Sequence, residues 1–216
     1  MSGALSPTSN ADRIRYLALG DSYTIGTGAS DVEYSYPTIV GTRLAEATGR
    51  KVQVTNPAVN GFTTQDLIDR ELRYLQRFNP QLVTVLIGVN DIVQGRRAEQ
   101  YRASLRRIYD AVASLDLPDG QAAAISIPNW SVVPAARDFG EPERLRHLTD
   151  EFNAIANEDA SSRGFTWIDI TDVSTSDTGA DGWISEDRLH PGDTQYAAWA
   201  DVIWAAVRES WSLVKP

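Results

Sequence analysis

The chain contains no cysteine at all, and only two histidines occur among its 216 residues. The absence of cysteine excludes disulfides, a thiolate nucleophile and cysteine-based zinc or iron–sulfur sites, and it is compatible with a reducing compartment. Positive charge is also scarce, since 20 Lys and Arg stand against 29 Asp and Glu and leave a net charge of −9. This excess of acid disfavours nucleic acid and anionic membranes as partners, because both require a basic surface.

Long apolar runs are missing as well. No stretch approaches the roughly 18 apolar residues that a membrane span requires. Residues 1–10 lack the basic start and the apolar core of a signal peptide, so we expect a cytoplasmic protein with no membrane partner. No repeat or linker divides the chain, which predicts a flexible N-terminal tail over residues 1–12 and one domain over residues 13–213. The oligomeric state stays open.

Strand-like and helix-like patterns alternate along the chain. Short apolar or alternating runs predict five strands, and the segments between them have helical spacing. The predicted strands are 14–19, 51–55, 81–88, 121–128 and 165–170, and the predicted helices are 36–49, 63–78, 98–115, 143–163 and 194–210. Such alternation indicates a parallel sheet covered on both faces. The predicted fold class is therefore α/β, a three-layer α/β/α sandwich with a five-stranded parallel sheet.

Residues suited to catalysis follow the predicted strands. Ligands of open α/β sheets bind outside the carboxyl ends of the strands. Ser22 follows the first strand, Gly61 the second and Asn90 the third, while Asp187 and His190 lie three residues apart before the last helix. The other histidine, His147, falls within a helical pattern rich in charge, which favours a surface position.

These residues form a complete set for ester hydrolysis. Ser22 is the candidate nucleophile, His190 the base that takes its proton, and Asp187 the acceptor that orients the imidazole. The backbone N–H groups of Ser22 and Gly61, together with the side-chain amide of Asn90, are the candidate donors to the oxyanion. Each donor comes from a different loop at the same predicted edge of the sheet.

Other chemistries account for fewer of these residues. The hydroxyl- and glycine-rich loop after Ser22 is compatible with a flavin phosphate, as in an FMN-binding flavodoxin-like protein, but this leaves Asn90, Asp187 and His190 without roles. A non-catalytic binding module would not need the triad. The Walker pattern and the G-x-S-x-G elbow are both absent. A single histidine at the site offers little to a metal ion, so no metal or cofactor is expected.

Four short blocks, "GDSYTIG", "AVNG", "GVND" and "DRLHP", resemble in order the sequence blocks of the SGNH or GDSL-type serine hydrolases. The resemblance spans residues 16 to about 200, and its departure is Tyr23 where the family motif has leucine. It implies a flavodoxin-like sandwich fold, a catalytic triad of Ser22, Asp187 and His190 that forms an acyl-enzyme, and an oxyanion hole of Ser22, Gly61 and Asn90.

The sequence says less about the substrate. Trp130 follows the fourth strand and Trp183 precedes the acid–base pair, so both are candidate substrate-binding residues at the acyl group. No long amphipathic lid is visible, which favours small esters with short acyl chains. The resemblance also leaves open an acyltransferase or a carbohydrate O-acetyl esterase working through the same acyl-enzyme.

Overall fold

A five-stranded parallel sheet forms the centre of the fold, in a computed structural model that describes residues 13–215. The predicted N-terminal tail, residues 1–12, lies outside the described residues. The strands are β1 (Arg13–Gly20), β2 (Lys51–Thr55), β3 (Leu82–Leu86), β4 (Ala122–Ile125) and β5 (Thr166–Ile168). Their order across the sheet is β2-β1-β3-β4-β5, and every neighbouring pair is parallel. The prediction of an α/β fold with five parallel strands is confirmed.

Long and short helices connect these strands. Four long helices are α2 (Tyr36–Thr48), α6 (Ala98–Ala113), α7 (Pro142–Ser161) and α9 (Asp193–Ser212). Five short helices are α1 (Ser22–Ile25), α3 (Thr64–Arg70), α4 (Arg73–Phe78), α5 (Val89–Val93) and α8 (Thr171–Ser174). Within residues 13–215, no helix combines the length and the apolar character that crossing a bilayer requires.

The helices cover both faces of the sheet. The chain moves from β1 outward to β2 and then back across β3, β4 and β5, so right-handed crossovers place α2 on one face and α3, α6 and α7 on the other. Accordingly α2 packs against α9, and α6 packs against both α3 and α7. Every residue of β3 is buried, as a central strand between two helical layers requires.

The predicted helix over residues 63–78 is wrong in one respect, because the structure divides it into α3 and α4. At the junction the Leu72 N–H bonds the carbonyl of Leu67, five residues back, and the Tyr74 N–H bonds Glu71, three residues back. Glu71 is fully buried there, and its carboxyl accepts a hydrogen bond from the backbone N–H of Gly20. Turning this carboxyl inward interrupts the regular helix, and the periodicity of leucines does not reveal it.

The beginning of α3 follows the prediction. Thr63 is the N-cap, and it forms a reciprocal capping box with Asp66. Between β4 and α7 the chain forms two short 3₁₀ turns, Trp130–Val132 and Pro134–Asp138. The site described next lies among the loops at the carboxyl edge of the sheet.

Candidate active site

Ser22 begins the short helix α1 immediately after β1. Asp21 caps this helix, because its carboxylate accepts a hydrogen bond of 3.0 Å from the Tyr23 N–H. A side chain at Gly20 would collide with Thr24 and with the carbonyl of Leu86 on β3, so only glycine lets the end of the strand pass this closely. Ser22 is only 5% exposed, so it lies recessed at the carboxyl edge of the sheet.

Asp187 and His190 form the contact that a base and its orienting acid require. The Nδ1 atom of His190 lies 2.6 Å from Oδ2 of Asp187. The other oxygen of Asp187 accepts hydrogen bonds from the Ser185 hydroxyl and from the backbone N–H groups of Leu189 and His190, at 2.7, 2.8 and 2.9 Å.

These bonds decide the charge of Asp187 and the tautomer of His190. Burial tends to raise the pKa of Asp187, but the hydrogen bonds from His190, Ser185 and Leu189 outweigh it and hold this pKa well below its usual range. An ionised carboxylate only accepts, so Nδ1 carries the proton and donates it to Asp187. Nε2 of the neutral ring is then free to accept a proton, as a general base must.

The turn between the two residues contains an unusual backbone conformation. Arg188 has a φ of 65°, which lies in the left-handed region that non-glycine residues rarely adopt. Its carbonyl accepts a hydrogen bond from Ala135, which holds the turn against the segment after β4. This local strain lets the chain double back within three residues, so that Asp187 reaches the ring of His190.

The loop that carries the acid–base pair docks onto the loop that carries Ser22. The rings of Tyr23 and His190 meet edge to face, with centroids 6.1 Å apart. The Tyr196 hydroxyl donates to the carbonyl of Thr27, and Asp193 accepts from both the backbone N–H and the hydroxyl of Ser30, at 2.8 and 2.6 Å. These contacts bring together two of the four sequence blocks, which are about 165 residues apart in the chain.

The three predicted oxyanion donors lie on loops that are joined to one another. Gly61 has a φ of 81°, and no atom lies near the position of a side chain there. Within residues 13–215, the backbone N–H groups of Ser22 and Gly61 have no protein acceptor. The amide nitrogen of Asn90 donates to the carbonyl of Phe62 at 3.0 Å, which leaves its second hydrogen available. Asn60 also bonds the Thr27 hydroxyl.

Asp91 connects the segment after β3 with the segment after β2. Its two oxygens accept hydrogen bonds from the backbone N–H and the hydroxyl of Thr64, at 2.8 and 2.6 Å. The Nε atom of Arg96 lies 3.6 Å from Oδ1 of Asp91. Burial raises the pKa of Asp91 although Thr64 and Arg96 favour its charged form.

Both tryptophans predicted at the acyl group are packed into the protein. Trp130 is 3% exposed and donates its indole N–H to the Thr149 hydroxyl on α7. Trp183 is equally buried and donates to the carbonyl of Ser174. Trp130 lines a narrow cavity with Tyr23 and Leu189, the neighbours of Ser22 and His190, whereas Trp183 does not. A role of either tryptophan in binding the acyl group stays a prediction.

Several residues with a place in the site were not predicted to have one. Tyr23 stands out in the sequence only as a departure from the family motif, yet its ring contacts His190. Ser185 bonds Asp187, and Glu71 bonds the residue before Asp21, although nothing in the sequence distinguishes either side chain. Among residues 13–215, no group of three or more His, Asp and Glu side chains has the arrangement of a metal site.

Comparison with known proteins identifies the family to which this chain belongs. The model of the GDSL-like Lipase/Acylhydrolase family matches residues 18–198. The chain therefore belongs to this family, a class of carboxylic ester hydrolases. The four sequence blocks all lie within the matched range.

Individual relatives are distant. A GDSL-like esterase of Mycobacterium tuberculosis is 22% identical over 91% of this chain, and the match covers 62% of its own length. A lipase of Streptomyces rimosus is 26% identical over 72% of the chain and 69% of its own length. The crystal structure of a lipase/acylhydrolase from Enterococcus faecalis superposes with a TM-score of 0.72, at 24% identity over 94% of this chain and 98% of that one. The last comparison concerns the fold alone.

Proposed function

We propose that this protein is a serine esterase that hydrolyses small carboxylic esters with short acyl chains, using Ser22, His190 and Asp187. The observation that carries the proposal is the 2.6 Å contact of Asp187 with Nδ1 of His190, on a loop docked over Tyr23. The catalytic unit is the single domain of residues 13–213, and its partner is a small-molecule ester.

The residues suggest an ordinary two-step mechanism. Nε2 of His190 takes the hydroxyl proton of Ser22 as Oγ attacks the ester carbonyl, and Asp187 stabilises the imidazolium. The N–H groups of Ser22 and Gly61 and the amide of Asn90 donate to the oxyanion. The intermediate expels the alcohol, which leaves with the proton from His190. Water then attacks the acyl-enzyme with the same base, and Ser22 recovers its proton.

The preference for short acyl chains is supported by the cavity beside the triad. This cavity, lined by Tyr23, Trp130 and Leu189 among others, has room for about one water molecule. Trp183 is occupied by packing within the protein. This cavity has no room for a long acyl chain.

Ser22→Ala tests the nucleophile, and Ser161→Ala, on the exposed surface of α7, is its matched control. We expect Ser22→Ala to lose esterase activity and to remain folded, while a fluorophosphonate probe labels the wild type on Ser22 alone. Activity that persists in Ser22→Ala, or labelling of another residue, contradicts the assignment.

A panel of nitrophenyl esters with increasing acyl length tests the substrate class. We expect kcat/KM to be greatest for the shortest chains and to fall as the chain lengthens. Acetylated sugars and an added alcohol acceptor in the same panel identify a carbohydrate O-acetyl esterase or an acyltransferase. A maximum at long chains contradicts the proposal.

A further inference from the structure

Residues 27–30 form a bridging segment that follows α1 and contacts both of the other loops on which the proposed reaction depends. The segment is tied directly to the nucleophile, because the backbone N–H of Thr27 donates to the carbonyl of Ser22 at 2.9 Å. The mechanism proposed above gives these residues no role.

The first contact is with the loop that carries the candidate oxyanion donor Gly61. The hydroxyl of Thr27 donates to the side-chain oxygen of Asn60, the residue directly before Gly61. The amide of Asn56 holds the same loop a second time, since it donates to the carbonyl of Thr24 at 2.7 Å. The peptide bond between Asn60 and Gly61 carries the N–H proposed for the oxyanion. The hydroxyl of Thr27 therefore restrains this peptide through the side chain beside it.

The second contact is with the loop that carries His190. Both oxygens of Asp193, at the start of α9, accept hydrogen bonds from Ser30, one from the backbone N–H at 2.8 Å and one from the hydroxyl at 2.6 Å. The hydroxyl of Tyr196, also on α9, donates to the carbonyl of Thr27 at 2.8 Å. Asp193 follows His190 by only three residues, so these bonds connect the bridging segment to the base through a short length of chain.

Gly28 brings the bridging segment into close contact with the acid–base loop. Its φ of 94° lies in the left-handed region, and a Cβ there would stand 2.5 Å from the carbonyl of Pro191 and 2.8 Å from Cβ of Ser185. Pro191 follows His190, and Ser185 bonds Asp187. Because Gly28 has no side chain, the segment lies directly against the chain on both sides of the acid–base pair.

We propose that Thr27 and Asp193 are positioning residues, which fix the loops of the oxyanion donor and of the base relative to Ser22. Thr27 acts on the loop of Gly61, and Asp193 acts on His190. The inference rests on the proposed roles of Ser22, Gly61 and His190 in ester hydrolysis.

Hydrogen bonds are suited to this task because the chain itself does not set the distances. Ser22 and His190 are far apart in the sequence, so only contacts between folded segments hold them together. Apolar packing is non-directional, whereas a hydrogen bond requires a defined distance and angle. A misplacement of about 1 Å can lower a rate by about 10²-fold, so bonds of defined geometry affect kcat strongly.

Kinetics on Asp193→Ala and Asp193→Asn test the contact with the base. Asp193→Ala loses both bonds to Ser30, and we expect kcat to fall by about 10²-fold with KM nearly unchanged. Asp193→Asn has an oxygen for the Ser30 N–H and an N–H₂ for the hydroxyl, so it should keep most of kcat. Asp201→Ala is the matched control, because it removes a carboxyl group of the same helix that bonds Arg43 of α2 instead.

The outcomes separate positioning from a merely structural role. Urea denaturation of each variant establishes that the kinetics are measured on folded protein. Full kcat in a folded Asp193→Ala, an Asp193→Asn as slow as Asp193→Ala, or an equal loss in Asp201→Ala each overturns the role of Asp193. If Asp193→Ala does not fold, Ser30→Ala tests the same contact and should lower kcat by about tenfold, as the loss of one hydrogen bond does. Wild-type kcat in Ser30→Ala then contradicts the proposal.

Thr27→Val and Thr27→Ser test the contact with the loop of Gly61. Valine has the shape of threonine without the hydroxyl, so Thr27→Val loses the bond to Asn60 and retains the backbone bonds. We expect kcat to fall by about tenfold in Thr27→Val, with KM nearly unchanged, and to be retained in Thr27→Ser. Thr42→Val, on the exposed side of α2, is the control. Wild-type kcat in Thr27→Val, or an equal loss in Thr27→Ser, refutes the role of Thr27.

A fluorophosphonate probe distinguishes failure of this inference from failure of the proposed function. The probe forms a phosphorus–oxygen bond to the nucleophile and releases fluoride, while the hydroxyl proton passes to the base, so no ester is needed. We expect labelling of Ser22 to be slower in Asp193→Ala than in the wild type. Labelling of another residue, or activity in Ser22→Ala, refutes the proposed function and this inference with it. Labelling of Ser22 at the wild-type rate in Asp193→Ala refutes this inference alone.

Discussion

The proposed role of Asn90 as an oxyanion donor depends on the orientation of its side-chain amide. One hydrogen of its amide bonds Phe62, and the other is available to a substrate oxygen. An amide held in this way is already oriented before the substrate binds, as an oxyanion donor must be.

Asn90→Ala should therefore lower kcat by about 10²–10³ and leave KM nearly unchanged, since the lost bond exists only in the transition state. Asn157→Ala, which removes an exposed amide from α7, is the control and should leave both constants unchanged. Steady-state kinetics on a short-chain nitrophenyl ester measures the effect. If KM rises while kcat is retained, Asn90 binds the substrate in its ground state.

Asp187 and His190 are the proposed acid–base pair of the reaction. The base must offer a free ring nitrogen to the proton of Ser22, and the contact of Asp187 with Nδ1 leaves Nε2 for this purpose. Asp187 is ionised at neutral pH, because its hydrogen bonds hold its pKa well below the usual range.

Asp187→Asn should lower kcat/KM by several orders of magnitude, because the amide no longer selects the productive tautomer of His190. Steady-state kinetics on a short-chain nitrophenyl ester measures the effect. His147→Gln, on the exposed surface of α7, is the control. A large loss of kcat/KM in His147→Gln, with activity retained in Asp187→Asn, would mean that the base has been misassigned.

At the scale of elements, the site depends on how the last loop docks onto α1. Tyr23 makes the aromatic part of this contact, with His190 at 6.1 Å and Trp199 of α9 at 5.6 Å between ring centroids. A leucine, which the family motif has at this position, makes no such edge-to-face contacts.

Tyr23→Ala should cost about 3–5 kcal/mol of unfolding free energy, as the loss of a buried aromatic ring does. It should also lower kcat, because the imidazole of His190 loses the ring against which it packs. Tyr23→Phe retains the ring and should keep most of both. Urea denaturation and kcat, measured on the same preparations, check the result. If Tyr23→Phe loses as much stability and kcat as Tyr23→Ala, the hydroxyl and not the ring of Tyr23 carries the effect.

At the scale of the whole molecule, the buried carboxyl groups link stability to pH. The raised pKa values of Asp21 and Glu71 mean that the folded state binds protons which the unfolded chain has released above about pH 4. Their contribution to stability is therefore complete below the unfolded pKa values and is lost as pH rises to about 8.

Glu71→Gln removes the part of this dependence that belongs to Glu71. The unfolding free energy of the variant should therefore improve relative to the wild type between pH 5 and pH 8. Urea titrations of both proteins at several pH values test this, and Glu46→Gln corrects for the change in net charge. Parallel curves for wild type and Glu71→Gln would mean that Glu71 is ionised throughout.

The sequence alone determined the fold class and the position of each candidate along the chain. Alternating strand and helix patterns are local, and the order of elements with right-handed crossovers leaves few sheet topologies. The same rule predicted that the loops bearing Ser22, Gly61 and Asn90 meet at one edge.

Only the tertiary structure decided which side chains contact one another. The tautomer of His190 depends on bonds made after Asp187 has folded against it, and the strained φ of Arg188 is maintained by Ala135. The break at Glu71 arises because burial against Gly20 outweighs helical periodicity, and Trp183 packs against Ser174 for the same reason. Burial and hydrogen bonding between distant segments are properties of the assembled chain, and no local pattern of residues contains them.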